Sequence, residues 1–279
     1  MNERASFYET VVGDFINDRN ASVLVCGGGA LDKRVFDALG FRNVTISNID
    51  SRMKGDEYAP LQWRFENAEA LSLDSQTYDY VVAHAALHHA SAPHRVLVEM
   101  YRVARKGILA IESRDSLVMR VMARYGFTQV YEHSAVFHNG CVHGGVNNTG
   151  IPNYVYRWTE REVEKTIRSY APDREPRILY RYGTGFPCTP EVERHGRVKY
   201  LFLRAMQPLY WLFTKAFPRQ QNLFAFYVEK ARGAERLFPW LTVDGAQGAV
   251  KFDHVWGERQ YGSRAEPECH TARPRAVGD

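Results

Sequence analysis

At 279 residues with a formal net charge of +4, the chain is long enough to bury a sizeable core, and its small, scattered charge excess argues against a nucleic-acid-binding surface. Its four cysteines, Cys26, Cys141, Cys188 and Cys269, stand far apart with no C-x-x-C pair. That arrangement argues against a disulfide scaffold and a zinc knuckle, and fits a reducing cytoplasm.

Residues 1–20 carry charges where a secretory signal needs an apolar stretch, and read instead as an amphipathic helix with Phe7, Tyr8, Val11, Phe15 and Ile16 on one side. From 21 to about 113, short apolar runs alternate with helical periodicity. "SVLVCG" is a first strand, "LDKRVFDALG" a helix ending at Gly40, "NVTISNID" a second strand, "LQWRFEN" a third and "YDYVVAHA" a fourth. "SAPHRVLVEMYRVARKG" reads as a helix with Ser91 as N-cap and Pro93 in its first turn, and "ILAIES" as the fifth strand. Such alternation implies a doubly wound, mostly parallel sheet whose ligands sit at the carboxyl ends of its strands.

After a short helix near 115–125, the stretch 127–158 is rich in His, Asn, Gly and aromatics without any period, as in a lid or binding loop. "TEREVEKTIRSYA" restores helical order, with Thr159 and Glu162 as a capping box and Val163, Ile167 and Tyr170 as the buried stripe. "RILYRYG" and "NLFAFYVEK" supply a sixth and a seventh strand. Between them, 198–217 has about the length of a bilayer span, but Lys199, Arg204 and Lys215 interrupt it and Pro208 would kink it. It reads as a helix over a core or acceptor pocket, with peripheral membrane contact as the alternative. The expected organisation is thus an N-terminal helix (1–20), one domain (21–230) with a lid (127–158) and an apolar helical insertion (197–218), and an extension (231–279) ending in a disordered tail.

Three consecutive glycines, Gly27, Gly28 and Gly29, follow the first strand. They let the backbone turn sharply and a ligand approach without meeting a Cβ atom. In a dinucleotide fingerprint counted from Gly27 and Gly29, the third glycine position is Asp32, whose carboxylate would repel a pyrophosphate at the helix N-terminus. No G-K-[ST] follows, so a P-loop is excluded as well. Asp50 closes the second strand 21 positions after Gly29, where a carboxylate could accept both hydroxyls of a ribose.

With "VLVCGGG", "NID", "NAEALSL", "YDYVVAHAALHH" and "EMYRVARKGILAIE" in that order, residues 21–113 resemble class I S-adenosylmethionine-dependent methyltransferases, in particular the type 11 group similar to ubiquinone and menaquinone biosynthesis enzymes. The resemblance resumes at "RQQNLFAFYVEK". It implies a seven-stranded Rossmann-like fold and S-adenosylmethionine as cofactor. It also implies that Gly27, Gly28 and Gly29 lie against the methionine and ribose part, with Asp50 and Ser51 at the ribose, Asn67 and Ala68 at the adenine, and His84 and Ala85 beside the methionine. Two positions depart from the pattern. Val25 stands where an acid is common and Leu31 where a further glycine is, which leaves the cofactor's amino group to Asp32 or to main-chain carbonyls.

Methyl transfer from a sulfonium needs alignment, a dry site and, for a hydroxyl acceptor, a base. His89 is the first candidate through the resemblance, followed by His88 and, in the lid, His143. The lid group His133, His138, Cys141 and His143 matches no common zinc spacing, and no metal is expected. Tyr154, Tyr156, Arg157 and Trp158 are candidates for an acceptor wall, and Glu112 and Asp115 for acceptor hydrogen bonds. "GGVNNTGIPNYVYRWTEREV" is faintly similar to methyltransferases of bacterial surface polysaccharides. The expectation is a cytoplasmic, bacterial-type enzyme that O-methylates a small or lipid-linked hydroxylated acceptor. A phenolic or quinone-like acceptor, or a non-catalytic cofactor-binding partner subunit, is the alternative.

Overall fold

The computed structural model describes residues 3–186, 196–231, 235–244 and 249–262. Its centre is a seven-stranded sheet in the order β3-β2-β1-β4-β5-β7-β6. The strands are β1 (Val23–Cys26), β2 (Val44–Asn48), β3 (Gln62–Phe65), β4 (Tyr78–His84), β5 (Ala104–Ser113), β6 (Arg177–Gly183) and β7 (Leu223–Glu229). β1 to β5 pair in parallel, whereas β7 runs antiparallel to both β5 and β6. This is the doubly wound, mostly parallel sheet expected from the alternation of apolar runs.

The period-2 geometry of a strand sorts the apolar residues into two cores. Val23 and Val25, with Ile46, Val82, Leu109 and Ile111, face the helices α1 (Glu3–Phe15) and α2 (Ala30–Ala38). Leu24 and Cys26, with Val81, Ala83, Ile108 and Ala110, face α3 (Pro93–Val103) and α6 (Glu160–Tyr170). β3, at the edge, is largely exposed.

Several local expectations shift. The N-cap of α3 is Ala92, because Pro93 already occupies the first helical position; Ser91 bonds Glu69 and Asn147 instead. The Thr159–Glu162 capping box forms with both of its bonds. Of the predicted stripe on α6, Val163 and Ile167 are buried, while Tyr170, at the last turn, remains 42% exposed. The aperiodic segment folds across the carboxyl ends of the strands. It contains α5 (His133–His138) and a series of left-handed residues, Gly140, Cys141, Gly144, Asn147 and Asn148.

α7 (Arg197–Ala216) continues through Pro208 as one helix. Leu203 and Thr214 are buried, but Leu201, Phe202, Leu209, Trp211 and Leu212 are each more than half exposed, so most of its apolar surface covers no core among the described residues. Among the described residues no helix is long and apolar enough to cross a membrane. Beyond β7 lie a hairpin of β8 (Leu241–Val243) and β9 (Val250–Phe252) and the helix α8 (His254–Tyr261), none of which the sequence pattern revealed. Trp240, Phe252 and Trp256 pack together there. The tail expected to be disordered lies outside the described residues.

Candidate functional site

The turn after β1 explains the glycine run residue by residue. Gly27 has φ +63°, and a Cβ on it would lie 2.6 Å from the Ala86 Cβ. A Cβ on Gly28 would meet the Val25 Cγ1 at 2.8 Å. Both positions therefore exclude side chains sterically. Asp32, in the first turn of α2, closes the turn: its Oδ2 accepts the Gly29 N–H at 2.8 Å and its Oδ1 accepts the Tyr8 hydroxyl at 2.8 Å. The carboxylate is thus committed to holding the turn and α1, and is not available to a cofactor amine. Val25 is fully buried in the apolar layer beneath the turn, where an ionised acid would lack a partner.

A cleft of about 260 Å³ opens beside this turn, at the carboxyl ends of β1, β2 and β4. Gly27, Asp50, Asn67, Ala68, Ala85 and His89 line it together, and Gly144, Gly145, Asn147 and Asn148 of the lid form its far wall. Asp50 is engaged by Arg52 through both oxygens, at 2.6 to 3.2 Å, and this guanidinium holds its carboxyl down at about 2. The same Arg52 reaches Asn139 of the lid at 3.2 Å. Asn67 Oδ1 accepts the Glu69 N–H, which fixes the turn that carries Ala68 into the cleft.

Other predicted site residues lie elsewhere. Gly28 and Gly29 shape the turn, and Ser51 is exposed, all three outside the cleft lining. His84 turns its ring away from the cleft and stacks on Tyr8, centroids 4.4 Å apart. Strand alternation puts its side chain on the α1 face, while Ala85, with φ +51°, breaks the strand and enters the cleft. Burial lowers the His84 imidazole to about 4. His143 stays in the lid, with Nδ1 3.3 Å from the Asn148 carbonyl oxygen. Of the acceptor-wall candidates, Trp158 is fully buried core, Tyr156 donates to Glu162, Arg157 donates to the Gln129 carbonyl and Tyr154 is exposed, while Asp115, a candidate for acceptor hydrogen bonds, pairs with Arg120.

At the inner end of the cleft the backbone makes a single 3-10 turn at Leu87–His89. Glu112, at the end of β5, anchors it. Its Oε1 accepts the N–H groups of Ala86 and Leu87 at 3.0 and 2.8 Å, and its Oε2 lies 2.6 Å from His88 Nδ1. Glu112 is 1% exposed, so it supports this turn and does not reach an acceptor. The other side of both histidines meets Glu132, whose Oε2 lies 3.5 Å from His88 Nε2 and 3.2 Å from His89 Nε2. Asn153 Nδ2 donates to the same Glu132 oxygen and to the His88 carbonyl.

Burial works to neutralise His88, but the adjacent Glu112 and Glu132 carboxylates outweigh it and push the imidazole up to about 10. His89 moves the other way, lowered by burial and by the positive His88. Burial works to raise Glu132, yet His88 holds it at about 2. Spacing could not reveal Glu132 and Asn153, because the lid brings them to the histidines across a long stretch of chain. Residues 88, 89 and 132 form the one group among the described residues whose His, Cys or acidic atoms converge closely enough to share an ion. His133, His138, Cys141 and His143 do not gather in this way.

Residues 24–111 match a family described as a methyltransferase domain, type 11. No curated protein matches the sequence. Among solved structures, the chain is similar to a methyltransferase of Haloferax volcanii held in complex with a methyltransferase activator, with 13% identity, 82% of this chain and 91% of that one covered, and a TM-score of 0.54. A protein of Pyrococcus horikoshii aligns with 13% identity, 82% and 90% coverage and a TM-score of 0.50. The magnesium protoporphyrin IX methyltransferase of Synechocystis, solved with S-adenosylhomocysteine, aligns with 13% identity, 81% and 82% coverage and a TM-score of 0.47. At such identities the likeness is one of fold.

Proposed function

We propose, for a chain built around a class I S-adenosylmethionine-dependent methyltransferase domain, that the reaction is O-methylation of a hydroxylated acceptor, and that this acceptor is lipid-linked. Bound S-adenosylmethionine supplies an activated methyl group. Gly27 gives it a bare backbone to lie against, Asp50 receives the ribose diol once Arg52 swings aside, and Asn67 with Ala68 borders the adenine.

The observation that carries the O-methylation reading is the group at the inner end of the same cleft. A half-exposed His89 faces the space, backed by Glu132 and by the buried His88–Glu112 pair. An alcohol is a poor nucleophile until it loses its proton, so a transfer to oxygen is the reaction that needs such a group. The acceptor O–H loses its proton at this cluster, and the oxygen lone pair forms the new bond to the methyl carbon. The S–CH3 bond breaks with its electron pair going to sulfur, leaving neutral S-adenosylhomocysteine and the methyl ether.

Support for a lipid-linked acceptor comes from α7 and from the segment of helix α4 (Leu117–Arg124), joined to it through Phe127, whose ring lies 6.0 Å from that of Phe202. Between 197 and 221, and again between 117 and 127, there are cations and large apolar residues but no acid. Leu117, Val121, Tyr125, Leu209 and Trp211 are exposed there, a combination suited to an anionic membrane surface.

The test follows S-adenosylhomocysteine release with three acceptors: a polyprenyl-linked sugar, a soluble sugar nucleotide and a phenol. Turnover is expected with the lipid-linked sugar, and His89→Ala should slow it by about a hundredfold or more with cofactor affinity retained. Turnover confined to the phenol replaces the acceptor assignment, and failure to bind S-adenosylmethionine at millimolar concentration overturns the reading.

A further inference from the structure

We infer that His88, His89 and Glu132 form a binding site for a zinc-class divalent cation, with its open coordination position facing the cofactor cleft. Three features of the structure support this.

The first is geometry. Tetrahedral ligand atoms with bonds of about 2.0 to 2.1 Å stand about 3.3 to 3.4 Å from one another. Glu132 Oε2 lies 3.5 Å from His88 Nε2 and 3.2 Å from His89 Nε2, and all three atoms fall within 4.8 Å. The two separations from Glu132 already match the edges of such a site, and the third lies within 4.8 Å. Two histidines and a glutamate with a vacant fourth corner are a donor set of catalytic zinc.

The second is the layer of support behind the ligands. Metal-bound histidines donate their other ring N–H to a carboxylate or a carbonyl, which fixes the tautomer and the ring orientation. His88 has Glu112 at 2.6 Å on Nδ1, and Glu112 is itself pinned by the N–H groups of Ala86 and Leu87. Glu112 on Nδ1 turns the Nε2 edge of His88 towards Glu132, the side on which a cation would be held.

The third is Asn153. It is 2% exposed, its amide nitrogen is on the same Glu132 oxygen, and its Oδ1 is buried without a hydrogen-bond partner. Its amide thus borders the cluster through Nδ2, which also donates to the His88 carbonyl, and leaves a buried acceptor that a water held near the cation would satisfy.

Its chemical use rests on the O-methylation reading, although the binding itself does not. With the acceptor hydroxyl as fourth ligand, the cation would lower the pKa of that hydroxyl so that its proton passes to water at neutral pH. The oxygen lone pair then takes the methyl group, and S-adenosylhomocysteine leaves as above. His89 in this case holds the cation and has no need to hold the proton.

The experiment uses tag-free full-length protein, stripped by chelation and titrated with Co2+. The expected result is one equivalent bound, with the visible ligand-field bands of a low-coordinate site, displaced by one equivalent of Zn2+. His89→Gln and Glu132→Gln should each weaken Co2+ binding at least about tenfold, while Cys141→Ser, in the exposed lid, leaves it unchanged. Calorimetry with S-adenosylmethionine on the same samples shows which variants remain folded. Absence of Co2+ uptake by protein that still binds the cofactor overturns the site, as does uptake that both glutamine variants retain. Full turnover in stripped protein overturns the cation's chemical role and leaves O-methylation standing, whereas loss of cofactor binding strikes the methyltransferase reading itself.

Discussion

Tyr8 links two buried titratable groups, and Asp32→Asn separates their effects. Asp32 is 5% exposed, and burial raises its carboxyl to about 6 despite the bonds from Gly29 and Tyr8. His84, stacked on the Tyr8 ring, is lowered to about 4 by the same burial. Ordinary values are about 3.9 for Asp and about 6.5 for His. Folded Asp32 therefore binds its proton more tightly than the unfolded chain does, and stability is lost as pH rises from about 4 to about 6. Folded His84 binds its proton more weakly, and stability is gained as pH rises from about 4 to about 6.5. Each difference is worth on the order of 3 kcal/mol, so in the natural sequence the two largely offset each other. Asparagine at 32 carries no charge at any pH, yet retains an oxygen for the Gly29 N–H and an N–H for the Tyr8 oxygen. In urea unfolding between pH 4 and 7, the Asp32→Asn protein should gain about 3 kcal/mol more with rising pH than the natural one, and at pH 7 it should be at least as stable. Parallel profiles for the two proteins would refute the raised Asp32 carboxyl, and a flat profile in the Asp32→Asn protein would refute the lowered His84 imidazole.

Arg52→Ala frees both Asp50 oxygens, so S-adenosylmethionine should bind roughly two- to fivefold more tightly by calorimetry, the scale of one exposed ion pair; weaker binding would mean that Arg52 itself holds the cofactor. Gly27→Ala forces a left-handed residue against Ala86, at a cost of about 1 to 3 kcal/mol, and a melting temperature equal to the parent's would contradict the tight turn. Trp211→Glu combined with Leu212→Glu should abolish co-flotation with phosphatidylglycerol vesicles and leave turnover on a soluble acceptor analogue intact; flotation of the double variant at the parent level removes α7 from the membrane contact.

Much of the cofactor half was legible in the sequence, because its determinants are local. Gly27 is a glycine for reasons contained within one turn, and Asp50, Asn67, Ala68 and Ala85 each follow the end of a strand or the turn beside it. A parallel sheet brings all such ends to one edge, so recognising the strands places these residues together. His84 shows where that reasoning stops. Its position at the strand end is right, but the two-residue alternation directs its ring to α1 and leaves the cleft to its neighbour. The Val25 departure also resolves only in three dimensions, since that side chain lies in the apolar layer and the acid of the turn is Asp32.

The sequence by itself determined the sheet, its parallel winding and the glycine turn, which rest on periodicity and contacts between near neighbours in the chain, while the chemical class of the cofactor came from the motifs that resemble methyltransferases. Only the tertiary structure decided what stands at the inner end of the cleft. The lid has no period to read, and its conformation depends on left-handed residues and on bonds to distant partners, as when Asn153 holds Glu132 against His88 and His89. Such a cluster is fixed by the packing of separate segments around one buried turn, a property that no single stretch of the chain contains.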